Sequence, residues 1–142
     1  MWRLTVIQRE VRGFGRLRKR LVQLRRQIRG SSDARSRFLF NRIAIGSYQV
    51  AASLETPSPL RTQDRPDLVR ERTGFLLSTF RATFINQNTL RLQWRAPYAK
   101  EVNEEGYSKG YVQRTARTGR TRFGARLRQE RRSIQRRLDR QG

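Results

Sequence analysis

Two short runs with a two-residue period constrain this chain more than any other feature. Phe80, Ala82 and Phe84 alternate with Arg81, Thr83 and Ile85. After the polar break NQNT (86–89), Leu90, Leu92, Trp94 and Ala96 alternate with Arg91, Gln93 and Arg95. Successive side chains of a strand point to opposite faces, so each run gathers its apolar residues on one side. Two such runs around an Asn-rich break predict a β-hairpin with one apolar face. A lone hairpin is marginal in water and needs cover. The rest of the chain must supply that cover, and its periodicity is helical. The expected class is therefore α+β: long N-terminal helices packed on a β-hairpin or small antiparallel sheet, then a short acidic helix and a basic C-terminal helix.

The helical periods are explicit. Leu4, Ile7, Val11, Phe14, Leu17, Leu21, Leu24 and Ile28 step by three and four, which predicts one helix over 2–29. Gly13 and Gly15 weaken it by roughly 1 kcal/mol each relative to alanine. Gly30 suits a position just past a helix end, and Ser31, Ser32 and Asp33 offer caps for a second helix over 34–54. That helix carries Leu39, Ile43, Gly46 and Val50 on one strip, with Phe38, Ile45 and Ala52 beside it. Ala44, Gly46, Ser47, Ala51 and Ala52 are small enough for another helix to approach closely. The stretch 55–67 holds three of the four prolines and reads as a loop. TGFLLSTF (73–80) reads as a helical turn entering the first strand. Pro97 suits the first turn of a short helix that stops at Gly106. Residues 107–119 read as irregular or short-stranded, and a last helix is expected over 121–140, with Phe123, Leu127, Ile134 and Leu138 on a thin apolar stripe.

Charge divides the chain differently. Of 142 residues, 33 are Lys or Arg and 11 are Asp or Glu, a formal net charge of +22. Only Lys19, Lys100 and Lys109 are lysines. Arginine binds carboxylates and phosphates through a planar fork and desolvates more readily than lysine, which suits an interface; skewed codon usage produces the same bias. Residues 1–30 hold ten basic residues and one acidic; residues 114–142 hold eleven arginines against Glu130 and Asp139. The segment 31–113 between them is nearly balanced, so 1–142 reads as one domain with a basic helix, a central core and a basic C-terminal segment.

Several chemistries are disfavoured. There is no histidine and no cysteine, which removes the commonest general base and the most reactive nucleophile. No apolar run approaches the ~20 residues of a membrane span, and the N-terminus lacks the pattern of a secretory signal. The one carboxylate cluster, Glu101, Glu104 and Glu105, lies on the short acidic helix. A hard cation such as Mg²⁺ wants oxygens converging from more than one element. Nothing else in the sequence supplies them, so no catalytic residue, metal ligand or cofactor is expected. The basic ends form an electrostatic footprint for nucleic acid, yet carry few stacking aromatics and no reader motif. Acidic protein partners would satisfy the same arginines.

The block 72–107 resembles the tail-completion proteins (neck, or head–tail connector, proteins) of tailed bacteriophages. Thr73, Gly74, Leu77 and Ser78 match the family's Thr-Gly before a short apolar turn with a Ser. After the hairpin, Tyr98, Ala99, Val102, Asn103 and Gly106 match its Tyr-Ala-x-x-Val-[Glu/Asn]-x-Gly helix. The match covers about a quarter of the chain, and the remainder agrees by element order. Family members often have Glu directly after the Val and a proline-led approach to the last helix; this chain has Asn103 and no proline there.

The resemblance implies a non-enzymatic virion protein, assembled in the host cytoplasm as a ring, commonly six-fold. The ring joins the capsid connector or adaptor to the tail tube or terminator and lets DNA pass. Tyr98, Glu101, Glu104, Glu105 and Tyr107 become candidates for the contact between subunits. Arg114, Arg117, Arg120, Arg122, Arg126 and Arg128 become candidates for contact with acidic partners or with DNA phosphates. On this reading the basic ends become ordered only on assembly, or else face the lumen. The other reading is a sequence-independent nucleic-acid-binding protein with the arginine-rich ends as arms.

Overall fold

A computed structural model describes residues 7–56, 73–96, 99–104 and 109–141. Among them are strand β1 (Ile7–Arg12), helices α1 (Phe14–Arg25) and α2 (Asp33–Glu55), the short helix α3 (Thr73–Ser78), strands β2 (Phe80–Phe84) and β3 (Thr89–Trp94), the short helix α4 (Ala99–Glu104) and the long helix α5 (Tyr111–Gln141). The class is α+β, as the alternation requires. Most of the expected loop 55–67 lies outside the described residues.

The expected hairpin forms, with Phe80 opposite Trp94 and Phe84 opposite Leu90. It is not the whole sheet. β1 pairs antiparallel with the other edge of β3, Ile7 opposite Trp94 and Val11 opposite Leu90, so the order is β1-β3-β2. From residue 7 on, the single helix expected over 2–29 is thus replaced by a strand, a turn and a shorter helix; its start at 2–6 lies outside the described residues. Gly13 makes the break, with φ +101° in the left-handed region that a side chain disfavours. Backbone pairing with β3 then outweighs the helical spacing of Ile7, Val11 and Phe14. Asn88 of the hairpin loop secures the junction: its carbonyl accepts from Phe14 N (3.2 Å), and its Oδ1 accepts from Gly15 N (3.1 Å).

α2 begins where the sequence offers a cap: Ser32 Oγ accepts from Arg35 N at 3.2 Å. Its buried face is Ser36, Phe40, Ile43, Ala44, Ser47, Tyr48, Ala51 and Ala52. This is a rotation from the expected strip, which leaves Leu39 and Gly46 half-buried and Phe38 and Val50 exposed. α5 packs along α2, and here the expectation of an irregular 107–119 fails. The helix starts at Tyr111, and Thr115, Ala116 and Gly119 are core residues. Glycine and β-branched residues are poor helix formers alone, but here the small side chains let α5 approach α2 closely enough for the Tyr48 ring to cover Gly119.

The basic C-terminal segment is helical as far as Gln141 and packs against the rest of the subunit. Arg25 of α1 pairs with Glu130 of α5 at 3.2 Å, and its Nε donates to Ser36 Oγ of α2. At the far end Gln141 accepts from Arg29 N (3.0 Å) and donates to the Gln27 carbonyl (3.3 Å). The two basic ends therefore meet each other.

The core runs between the sheet and the α2–α5 pair. Leu90, Leu92 and Trp94 point inward from β3 and are fully buried. The Trp94 ring meets Phe80 (4.8 Å) and the edge of Tyr111 (5.2 Å), and its Nε1 donates to Thr56 Oγ1 at 3.2 Å.

Tyr48 gives the fold an alkaline limit. Burial pushes its phenol up, opposed by the charge and hydrogen bond of Arg120. The stabilisation from keeping this phenol neutral is complete below the unfolded value of about 10 and is lost as pH rises through the folded value. Tyr48→Phe removes the ionisable group. Urea titrations between about pH 9.5 and 11 should therefore show a smaller loss of stability in Tyr48→Phe than in the parent.

Candidate functional site

The residues that carry the family resemblance separate into buried and exposed sets. Ala99 and Asn103 are buried on α4. The Ala99 carbonyl accepts from the Tyr111 hydroxyl at 2.9 Å. Asn103 Oδ1 accepts from Val112 N (3.0 Å) and its carbonyl accepts from Gly110 N (2.8 Å). Asn103 thus caps the start of α5. Thr73 and Gly74 open α3, and Ser78 closes it at the surface, its carbonyl accepting from Arg81 Nη1. Glu104 is exposed, 3.9 Å from Lys100 one turn away. Glu101 and Val102 lie in α4, but their side chains fall outside the description, as do Tyr98, Glu105, Gly106 and Tyr107 altogether.

The arginines of α5 do not form one surface. Arg114 is used inside the subunit: Nε donates to Glu55 Oε2 (3.2 Å) and Nη1 to the Lys109 carbonyl (2.6 Å). Thr118 donates to the other oxygen of the same carboxylate at 3.0 Å, so the end of α2 is clamped to α5. Arg117 and Arg120 line a cleft against β1 with Arg9, Glu10 and Arg12. Arg126 lines a groove between α2 and α5 whose floor is Leu39 and Ile43 and whose rim includes Arg42 and Arg136. Arg122 and Arg128 are exposed. The basic surface therefore wraps the helical layer on at least two sides.

Compared with protein-family models, curated proteins and solved structures, the chain matches none.

Beside the arginine rim, α2 leaves apolar area uncovered. Phe38 is 64% exposed, and Val50 and Leu54 are each 40% exposed, with half-buried Ile45 between them along the helix. Phe38 lies under the Arg42 guanidinium, 5.9 Å from ring centroid to Cζ.

One buried cation escaped the sequence reading. Arg18 is only 6% exposed, its guanidinium held between the rings of Phe40 (4.9 Å) and Phe84 (4.6 Å). The signal for it was present. Arg18 stands four residues after Phe14 and three before Leu21, on the apolar stripe rather than the arginine face. Among the described residues no group of three or more acidic side chains could hold a metal ion, and no helix is long and apolar enough to cross a membrane.

Proposed function

We propose that this chain is a structural subunit of a homo-oligomeric ring in the neck of a tailed bacteriophage, joining the capsid connector to the tail and leaving a lumen for DNA. The observation that carries the reading is the set of apolar side chains that α2 leaves exposed. Phe38, Val50 and Leu54 are exposed along it, and Ile45 lines the basic groove formed with α5. Apolar side chains rimmed by charge mark a contact surface. In a closed ring each contact is head-to-tail, so a subunit needs a second, different face to meet this one. The acidic helix α4, with Glu104 at its surface, has the opposite charge to the arginine rim and would set register and direction. The order of short Thr-Gly helix, hairpin and Ala-x-x-Val-Asn helix agrees with the family resemblance.

Light scattering of the nuclease-treated protein at about 0.5 M salt, where surface charge is heavily screened, tests the reading. One closed species of about six subunits is expected. Replacing Phe38 and Val50 by Glu should reduce it to smaller species without unfolding the subunit. Replacing Glu101, Glu104 and Glu105 by Lys should weaken assembly at lower salt.

The spread of arginine over α5 favours a second reading, sequence-independent binding of nucleic acid. A monomer that binds DNA with a steep salt dependence, unchanged or strengthened by the triple Lys variant, would replace the ring reading with this one.

A further inference from the structure

We propose that the cleft between α1, the start of α2 and the hairpin loop is an oxyanion site built to take a phosphate group. Its deepest cation is Arg18. Nε and Nη2 of Arg18 both donate to one acceptor, Asn41 Oδ1, at 3.2 and 2.9 Å. Nη1 is buried and has no hydrogen-bond partner among the described residues. Two aromatic faces and a neutral amide hold the guanidinium in place, but none of them offers a counter-charge. A buried cation in that condition keeps an unmet demand for an anion.

Arg18 also lines a cleft of about 360 Å³ together with Lys19, Gln23, Arg26, Arg37 and Gln87. Among the described residues, one carboxylate answers these cations. Asp33 bonds Arg26 at 2.8 Å and also feels the charge of Arg37, which leaves Arg18 and Lys19 uncompensated. The first amides of α1 do not contribute, because Asn88 already occupies them. Any anion here is held by side chains.

Phosphate fits better than carboxylate. Side-chain donors line the cleft from α1, from α2 and from the hairpin loop, more than the two oxygens of one carboxylate can use. Three or four phosphate oxygens match them, and the fork of an arginine suits phosphate geometry. Free phosphate and the phosphodiester of a nucleic acid present the same chemistry. The inference does not depend on the ring reading, since assembly mass tests one and anion titration the other.

The test is titration of the full-length protein with inorganic phosphate against chloride at matched ionic strength, followed by calorimetry and thermal unfolding. Saturable binding with a rise in Tm is expected. Arg18→Met should abolish it. Because that change alters the core, the surface pair Lys19→Ala/Arg37→Ala provides the second arm. It should keep the unfolding profile of the parent and weaken phosphate about ten-fold or more. Arg128→Ala/Arg132→Ala removes the same charge elsewhere and should leave phosphate binding unchanged.

Titration with a short DNA duplex separates the sources. If the phosphate arrives on nucleic acid, Lys19→Ala/Arg37→Ala lowers the salt slope by about one per cation lost, beyond the effect of the α5 pair. If the ligand is free phosphate, the two double variants weaken DNA equally and only the first affects phosphate. The proposal is overturned if phosphate does not bind beyond chloride, or if it binds Lys19→Ala/Arg37→Ala as tightly as the parent.

Discussion

Gly119→Ala is expected to destabilise the protein by about 2–3 kcal/mol, the cost of overpacking a filled core. The direction is informative because the helix itself would prefer the change. Alanine in place of glycine inside an exposed helix gains roughly 1 kcal/mol. At this position an added Cβ would lie within 3.0 Å of three ring carbons of Tyr48, a distance real Cβ contacts do not adopt. Tyr48 is fully buried and has little room to withdraw, so α5 must move off α2 or the ring must leave its rotamer. Urea unfolding at one fixed protein concentration measures the loss, since assembly would otherwise add to apparent stability. The mechanism has its own control. In a Tyr48→Ala background the clash vanishes, and Gly119→Ala should become neutral or stabilising, giving a coupling energy of 0.5 kcal/mol or more, roughly the range for touching residues. A neutral Gly119→Ala in the parent would show that α2 and α5 are not packed this closely.

That contact also explains why α5 was only partly legible. Phe123, Leu127, Ile134 and Leu138 give a helical stripe that any reading of the sequence finds. Thr115, Ala116 and Gly119 instead look like a loop, because their helicity comes from fitting under Tyr48 and beside Glu55 rather than from propensity. β1 failed for the reverse reason. Ile7, Val11 and Phe14 satisfy a helical step, and within the strand only Val11 is fully buried, so no clean alternation announces it. The deciding facts are non-local: an open edge on β3 more than seventy residues away and an Asn88 side chain that holds the turn after Gly13. α2 and the hairpin were legible because their signals are local, a serine cap in one case and a strict two-residue period in the other.

The candidate sites show the same division. Charge counting found the arginine-rich segments but could not say which arginines remain available. Arg114 and Arg25 are used to join helices, whereas Arg126 and Arg136 border the α2–α5 groove. Asn103, seen in the sequence as a family position, proves to be a cap on α5. Arg18 was hidden because its neighbours Phe40, Asn41 and Phe84 come from two other elements, and only the fold brings them together.

Phe14→Ala should cost about 3–5 kcal/mol and lower Tm by on the order of 10 °C. Phe14 starts α1 and is 3% exposed. Its ring meets Phe123 of α5 at 5.3 Å, Phe84 of β2 at 5.4 Å, and Tyr48 and Phe40 of α2 at 6.2 and 6.4 Å, all edge to face. One side chain therefore ties the sheet to both long helices. Edge-on pairs add roughly 0.5–1.5 kcal/mol beyond buried area, so Phe14→Leu, which keeps much of the apolar volume, should lose less than alanine but still measurably. The consequence reaches the anion cleft. Phe40 and Phe84, which Phe14 supports, are the two rings that hold Arg18. A folded Phe14→Leu protein should bind inorganic phosphate more weakly than the parent, with the deficit growing as temperature approaches its lowered Tm. Equal affinity at all temperatures below unfolding would show that Asn41 and the two rings position Arg18 without help from the rest of the aromatic cluster.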